Sequence, residues 1–187
     1  MIHRITRRTF GAVVAGSAIS TMAAASAQDQ EKKPEGLPQP TDDPRDYPAP
    51  KFKPTLRRPK LGHTLVQDFV IYGHSELEMV KLLLDKYPAV LNATNDWGGG
   101  DFESAMGGAS HMGRRDIVTF LIERGARPDI FTWAMLGRLD IVKSLIGSHP
   151  ALAESKGPHG ITLIKHAEFG GKEAKEVLDY LQALKKE

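Results

Sequence analysis

The sequence predicts an all-α fold of repeated helix-turn-helix units, on three observations. From Leu61 onward, apolar residues recur at helical spacing in four separate segments. The first three segments end in Gly or Pro, the residues that usually stop a helix. No run of useful length alternates between apolar and polar residues, as a half-buried strand would. We therefore expect helices joined by loops.

Residues 1–27 have the layout of a secretory signal peptide. Arg4, Arg7 and Arg8, with no acidic residue, precede a short apolar stretch that ends in Ala-Ser-Ala at 25–27. The residues around the Arg7-Arg8 pair resemble a twin-arginine export motif, and an ordinary secretory leader is the alternative. We expect a periplasmic or secreted protein. The apolar stretch is short and rich in Gly and Ala, so we expect no membrane insertion after the leader is removed.

Residues 28–60 are predicted to form a disordered linker. This segment holds eight of the twelve prolines and few apolar residues, so it can neither form a helix nor bury a core. The alternative is that a stretch such as "PAPKFKP" is a proline-rich ligand for an aromatic groove.

Charge and cysteine content exclude some function classes. Without the leader, 22 basic and 23 acidic residues remain, which leaves no basic field suited to nucleic acid. We therefore expect no nucleic-acid partner. The chain has no Cys, which excludes disulfides, thiolate metal sites and a Cys nucleophile.

Each helical segment carries an apolar stripe along one face. Residues three and four positions apart lie on the same side of a helix, so such a stripe predicts burial against a neighbouring helix. The stripes are Leu77, Val80, Leu83 and Leu84; Ile117, Phe120 and Leu121; Leu139, Val142, Leu145 and Ile146; and Ala174, Val177, Leu178 and Leu181.

Three of these segments are copies of one unit. The stretches "LEMVKLLL", "RDIVTFLI" and "LDIVKSLI" superpose without gaps. Glu78, Asp116 and Asp140 occupy the same place in them, where an acidic residue favours the start of a helix. Glu173 is the expected fourth member. The spacings between these acids are 38, 24 and 33 residues.

Two longer stretches resemble the ankyrin repeat, whose period is about 33 residues. "ASHMGRRDIVTFLIERGARPD" is similar to its Ala-Ala to Gly-Ala run, and "HGITLIKHAEFGG" to its Gly-x-Thr-Pro-Leu-His run. The resemblance covers residues 61–187 and implies a solenoid of about four irregular repeats. It also implies that Thr64, Ser104 and Thr162 cap the first helix of their repeats.

The sequence departs from the ankyrin pattern at three places. Trp133 stands where a small residue is expected. The link "GARPDIFT" between the second and third repeats is about ten residues too short for a full hairpin finger, when judged against the usual period. The link "YPAVLNATNDWGGGDFE" between the first two repeats is longer than usual. We therefore expect an irregular stack with uneven fingers.

The resemblance implies a partner-binding concave face built from fingers and first helices. Its row of contact positions is unusually apolar, with a centre at Met112, Met135 and Leu136, which suggests a binding groove. The alternative is that the fingers fold over this row and make it core. The expected contact residues are Tyr72, Trp97, Asp101, Glu103, His111, Met112, Met135, Leu136, His159 and Phe169.

The histidines are expected to be structural, and we predict no metal and no cofactor. His111, His159 and His166 lie in neighbouring repeats, but no H-x-x-x-H or H-E-x-x-H spacing places two of them on one helix. The alternative is a metal-binding protein or metal-dependent enzyme that uses His111, His159 and Asp101 or Glu103, since two histidines and a carboxylate can bind a divalent ion.

The sequence thus favours a non-catalytic protein–protein interaction module of the periplasm or cell envelope, which binds an unidentified protein partner. No G-x-S-x-G elbow is present, and "WGGGD" lacks the Lys of a P-loop, so it is interpreted as a flexible turn. Arg114 and Arg115 are interpreted as a solvated face. A small-molecule pocket between the long finger and Trp133 is the remaining alternative.

Overall fold

The computed structural model describes residues 47, 48, 50–52, 55 and 58–185, and most of them are helical, as predicted. The described linker residues have no helix or strand and are exposed, whereas the predicted leader lies outside the described residues. No described helix is long and apolar enough to cross a membrane. The helices are α1 (His63–Gly73), α2 (Leu77–Lys86), α3 (Ala105–His111), α4 (Arg115–Glu123), α5 (Ile130–Met135), α6 (Leu139–Ser148), α7 (Leu163–Phe169) and α8 (Lys175–Leu184).

The helices pack in sequential pairs. Each odd-numbered helix contacts the even-numbered helix that follows it. The odd-numbered helices also contact one another in chain order, α1 with α3, α3 with α5 and α5 with α7. Among the even-numbered helices, α2 contacts α4 and α6 contacts α8. Short 3-10 turns at Pro88–Val90, Pro150–Glu154, Pro158–Gly160 and Gly171–Ala174 connect some of these elements.

The predicted stripes form two hydrophobic core clusters. The first lies mainly among α1 to α4 and includes Phe69, Ile117 and Met135. The second lies among α5 to α8 and includes Val142 and Leu163. Burial of these side chains away from water is what holds the short helices in place, because helices of six to eleven residues are not stable alone.

Side-chain caps begin three of the helices. Ser104 and Thr162 each accept a hydrogen bond from the backbone N–H three residues ahead, at 3.1 and 3.3 Å, as predicted. Asp129 does the same for α5 at 2.8 Å. The prediction for Thr64 was wrong, because α1 begins one residue earlier, with Gly62 at its N-cap and no side-chain cap.

Acidic residues mark the first turn of the even-numbered helices. Glu78, Asp116 and Asp140 lie in the first turns of α2, α4 and α6, as predicted. The fourth expected member, Glu173, was misplaced. It lies in the 3-10 turn before α8, and the acidic residue in the first turn of α8 is Glu176.

A short antiparallel hairpin interrupts the helices, contrary to the expectation of an all-α chain. Strands β1 (Thr94–Asp96) and β2 (Phe102–Ser104) pair so that Asn95 lies opposite Glu103. Three-residue strands are too short to give an alternating pattern, which is why the sequence did not indicate them. The glycines of "WGGGD" form the turn as predicted, all with positive φ (118°, 65° and 87°), a conformation that Gly adopts without strain.

Arg115 is not a solvated residue, so that interpretation was wrong. Its guanidinium donates to the carbonyl oxygens of Met135 and Leu136, both at 3.1 Å. These carbonyls lie at the C-terminal end of α5, where a cation favours the helix dipole. Arg115 therefore ties the second helix pair to the third.

Candidate metal centre

Three histidines and one glutamate converge from four different elements. His74 follows α1 as its C-cap, Glu103 is the middle residue of β2, His111 ends α3, and His159 lies in the 3-10 turn before α7. One ligand atom from each side chain lies within 4.8 Å of the others. We call this group the His/Glu cluster.

The hairpin places Glu103 inside the protein. Successive side chains of a strand point to opposite faces, so Glu103 is buried while its neighbour Phe102 is 59% exposed. The cap at Ser104 then starts α3 at once, and two turns of helix bring His111 back to the same carboxylate. The local sequence "FESAMGGASH" thus fixes two members of the cluster.

Glu103 is the hub of the cluster. Its Oε1 accepts a hydrogen bond from His111 Nε2 at 2.8 Å, and its Oε2 accepts one from Trp97 Nε1 at 2.8 Å. His159 Nε2 and His74 Nε2 lie 3.4 and 3.5 Å from Oε2. Burial alone would raise the pKa of Glu103, but the hydrogen bonds from His111 and Trp97 and the charges of His74 and His111 outweigh it, so the pKa is lowered. Glu103 is therefore a buried anion at neutral pH.

Two of the rings are held from behind through Nδ1. His74 Nδ1 lies 2.9 Å from the carbonyl oxygen of Val70, which can only accept a hydrogen bond. His159 Nδ1 lies 2.8 Å from Asp101 Oδ2. With the proton on Nδ1, the neutral ring presents the Nε2 lone pair to the cluster. This arrangement, with an acceptor behind each ring, is usual for metal-binding histidines.

Asp101 fixes the backbone of His159 as well as its ring. The His159 N–H donates to Asp101 Oδ1 at 2.9 Å, and this bond is the main reason why the pKa of Asp101 is lowered. Burial of His159 acts to lower its pKa, but the bond to Asp101 and the charges of Glu103 and Asp101 prevail and raise it. The two residues are 58 positions apart in the sequence.

His159 has a strained backbone. Its φ of 57° is the only positive value at a described residue other than Gly. A residue with a Cβ in this region costs about 1–3 kcal/mol, and such strain concentrates at functional sites. The bonds to Asp101 hold His159 in this conformation and keep its ring against Glu103.

A pocket of about 380 Å³ opens beside the cluster. It is lined by Ile71, His74, Ser75, Trp97 and His159, so two of the cluster histidines form part of its wall. The side chains of these two histidines are 24% and 36% exposed, whereas the Glu103 side chain is fully buried. The cluster is therefore closed on its Glu103 side and accessible from the pocket.

Half of the predicted contact residues gather at this cluster. Trp97, Asp101, Glu103, His111 and His159 lie in it or bond to it directly. The metal-binding alternative stated from the sequence includes four of these five residues, namely Asp101, Glu103, His111 and His159. It missed His74, which lies just before the first copy of the unit, "LEMVKLLL", and belongs to no motif.

The other predicted contact residues do not form one exposed row. Met135 is fully buried in the first core cluster, so its prediction as a central surface anchor was wrong. Tyr72 and Leu136 are half-buried against the same core. Met112 and Phe169 are exposed, at 52% and 50%. The packing of the helices covers the middle of the predicted row and leaves only parts of it open.

The small-molecule pocket predicted between the long finger and Trp133 stays a prediction. The pocket described above, next to the long finger, is lined by Trp97. Trp133 packs partly buried against the second core cluster, with the Arg138 guanidinium 5.8 Å from its ring centroid.

A second buried histidine lies deeper in the protein. His166 is fully buried, its Nδ1 is 2.9 Å from Ser110 Oγ, and its ring centroid is 5.1 Å from that of Phe131. Burial lowers the pKa of His166 to about 4. It is a neutral, structural histidine, as expected from the sequence.

The geometry of the cluster suits a divalent metal ion. A tetrahedral Zn²⁺ with bonds of about 2.1 Å has ligand atoms about 3.4 Å apart. The separations of His159 Nε2 and His74 Nε2 from Glu103 Oε2 have about this value, whereas His111 Nε2 lies 2.8 Å from Glu103 Oε1 and would have to move away to bind the ion. Comparison with protein-family models, with curated proteins and with solved structures found no match to this chain, so the function rests on this geometry.

Proposed function

We propose that the chain binds one transition-metal ion of the Zn²⁺ class through His74, Glu103, His111 and His159. The observation that carries the proposal is the convergence of three imidazole Nε2 atoms on one buried carboxylate. The acceptors behind His74 and His159 support it further, because they orient these rings as ligands. Catalytic turnover is not part of the proposal.

Electrostatics favour a cation in the cluster. His74 donates its Nδ1 proton to Val70, so in the neutral ring the Nε2 lone pair lies 3.5 Å from a carboxylate oxygen. Two electron-rich atoms at this distance repel each other in a buried site. A second proton on the ring or a metal ion between the two groups removes this repulsion. A metal ion does so for His74 and His159 at once, and it would take the place of the proton that His111 Nε2 donates to Glu103.

The donor set also restricts the metal. Three imidazole nitrogens and one carboxylate suit Zn²⁺, Co²⁺, Ni²⁺, Cu²⁺ or Fe²⁺. Ca²⁺ and Mg²⁺ prefer six or more oxygen ligands, which this cluster does not provide. We therefore expect Zn²⁺ or Co²⁺ to bind and Mg²⁺ to fail to compete.

Metal titration of the purified chain tests the proposal. We expect one equivalent of Zn²⁺ per chain, with a Kd below about 1 µM by isothermal titration calorimetry. His74→Ala and His159→Ala should each weaken binding by more than about a hundredfold. His149→Ala is the matched control, since His149 is exposed and outside the cluster. Equal Zn²⁺ binding by the wild type and a His74→Ala/His159→Ala double variant would disprove the proposal.

Partner binding is a second candidate function, favoured by the exposed apolar side chains that remain on the predicted concave face. Ile71, Met112 and Phe169 are 46% to 52% exposed. A Met112→Asp change should abolish capture of a protein partner and leave the melting temperature unchanged. Leu82→Asp is the control, because Leu82 is equally exposed but lies on α2. Unchanged capture by Met112→Asp would remove this surface.

The scaffold and its location complete the proposal. The sequential helix pairs and the caps at Ser104 and Thr162 support an ankyrin-type repeat stack. The residues around Arg7 and Arg8 support twin-arginine export. Replacing both arginines by Lys should block export. Normal export of that variant would leave only the general secretory route.

A further inference from the structure

We infer that the pocket beside the His/Glu cluster admits an exchangeable ligand of the metal, namely a small molecule with a flat apolar body and one anionic oxygen donor. This inference rests on the proposed metal site, because the donor is expected to bind the metal. It goes further in assigning the pocket and the chemical class of its occupant.

The cluster has an open side, and that side faces the pocket. Glu103 and His111 are buried, so they close the cluster towards the protein interior. His74 and His159 are partly exposed and line the pocket. A metal ion of this class that has four protein ligands takes a further ligand by expanding to five-coordinate geometry, and within the described residues the only accessible side for that ligand is the one that faces the pocket. The pocket is therefore the route by which such a ligand reaches the metal.

The walls of the pocket indicate a flat apolar body. Trp97 and Ile71 line it, and they are exposed by 37% and 46%. The Trp97 indole N–H is bonded to Glu103, so the ring is held in place. Its centroid lies 6.2 Å from that of His159, next to the metal ligands. A volume of about 380 Å³ is near the lower end for ligand pockets, so it suits a small molecule.

The charge of the donor set indicates an anionic donor. A divalent ion carries two positive charges, of which the Glu103 carboxylate cancels one and the neutral imidazoles cancel none. One positive charge therefore remains on the ion with its four ligands. A single anionic oxygen, as in a carboxylate or hydroxamate, neutralises it. The metal ion is the largest local charge in such a site, so it governs which donor binds.

Visible absorption of the Co²⁺-loaded protein provides the test, with benzohydroxamate and acetohydroxamate as probes. The two probes share the donor and differ in the flat apolar body. Binding of either at the metal should shift the Co²⁺ bands, with the metal retained after desalting. Burial of the phenyl ring should make benzohydroxamate bind about tenfold tighter or more.

Two variants locate the bound probe. Ile71→Ala removes part of the apolar wall and replaces no residue of the His/Glu cluster. It should therefore weaken the binding of benzohydroxamate at least about threefold. It should leave Co²⁺ binding and acetohydroxamate binding unchanged. Leu82→Ala is the control, since Leu82 is at least as exposed as Ile71 but lies on α2 and does not line the pocket.

The outcomes separate the two proposals. If Co²⁺ does not bind, the metal site itself fails and this inference fails with it. If Co²⁺ binds and neither probe shifts its bands, the metal site stands and the exchangeable position is refuted. Equal affinities for the two probes, or no effect of Ile71→Ala, would show that the pocket does not hold the ligand. Loss of the metal to the probe would likewise overturn the inference.

Discussion

Lowering the pH should destabilise this protein through one buried histidine, His166. Its side chain is fully buried, bonded to Ser110 and packed against the ring of Phe131. Burial lowers its pKa from 6.5 to about 4, with smaller opposing effects from Asp129 and Glu103 and a reinforcing one from His111. The unfolded chain therefore takes up this proton at a higher pH than the folded chain does.

The magnitude and sign follow from the two pKa values. Because the folded pKa is the lower one, the full contribution is present above pH 6.5 and is lost as the pH falls towards 4. Linkage gives a loss of about 1.4 kcal/mol at pH 5.5 and about 2.6 kcal/mol at pH 4.5. A domain of this size has a total stability of about 5–15 kcal/mol, so the loss is large enough to measure.

Urea unfolding of the metal-free protein between pH 7 and 4.5 is the assay. Other groups titrate in this range, so the wild type is compared with His166→Gln, which has no titrating side chain. The variant is expected to be less stable than the wild type at pH 7. The difference between their free energies of unfolding should be smaller by about 2.6 kcal/mol at pH 4.5. The NMR signal of the His166 ring provides a readout that needs no variant, and it should not titrate above pH 5.

A difference in stability that stays constant across this pH range would refute the reasoning. So would an NMR titration of the His166 ring with a midpoint near 6.5, since it would mean that burial does not disfavour the charged ring. A destabilised but folded His166→Gln variant does not disturb the test, because only the pH-dependent part of the difference is used.

Four further changes have expected outcomes. Asp101→Asn keeps the shape but removes the negative charge and one of the two acceptor oxygens that hold His159, so the Zn²⁺ Kd measured by calorimetry should rise about 10-fold to 100-fold. Met135→Asp should cost more than about 4 kcal/mol in urea unfolding, because it buries an unpaired charge, and a near-wild-type midpoint would contradict its burial. Gly137→Ala should cost about 2 kcal/mol or more, since φ is +77° and a Cβ would collide with the carbonyl oxygen of Glu173. Gly147→Ala, with open space around it, should be neutral or stabilising.

Local features of the fold could be predicted from the sequence because their causes are local. The apolar stripes have the helical period, and the caps at Ser104 and Thr162 bond to backbone groups three residues away. The hairpin could not be predicted, since its three-residue strands are stabilised by pairing across the Gly-rich turn.

Burial along the predicted concave row depends on neighbours that no repeat pattern specifies. His111 and Met135 lie at the ends of α3 and α5, in the two middle helix pairs, and both are buried. Ile71 and Phe169 lie near the ends of α1 and α7, in the first and last helix pairs, and both are about half exposed. A middle helix pair has neighbours on both sides, and the first and last pairs have only one. The repeat pattern predicts the position but not its exposure.

The candidate metal site could be predicted only in part for the same reason. The sequence pointed to His111, His159 and the acidic finger as one alternative. Their meeting depends on a contact between residues 101 and 159, and His74 joins from a helix end that carries no motif. Motif spacing detects ligands on one helix, whereas these come from four elements.

The bond between Asp101 and His159 also has a consequence for the order of folding. Contacts between residues far apart in the chain form late, because closing the loop between them costs conformational entropy before the contact is gained. The four side chains of the His/Glu cluster therefore come together only after both core clusters have formed, and a bound metal ion would not act as the nucleus of folding. In kinetic experiments, Zn²⁺ should slow unfolding and leave the rate of folding nearly unchanged.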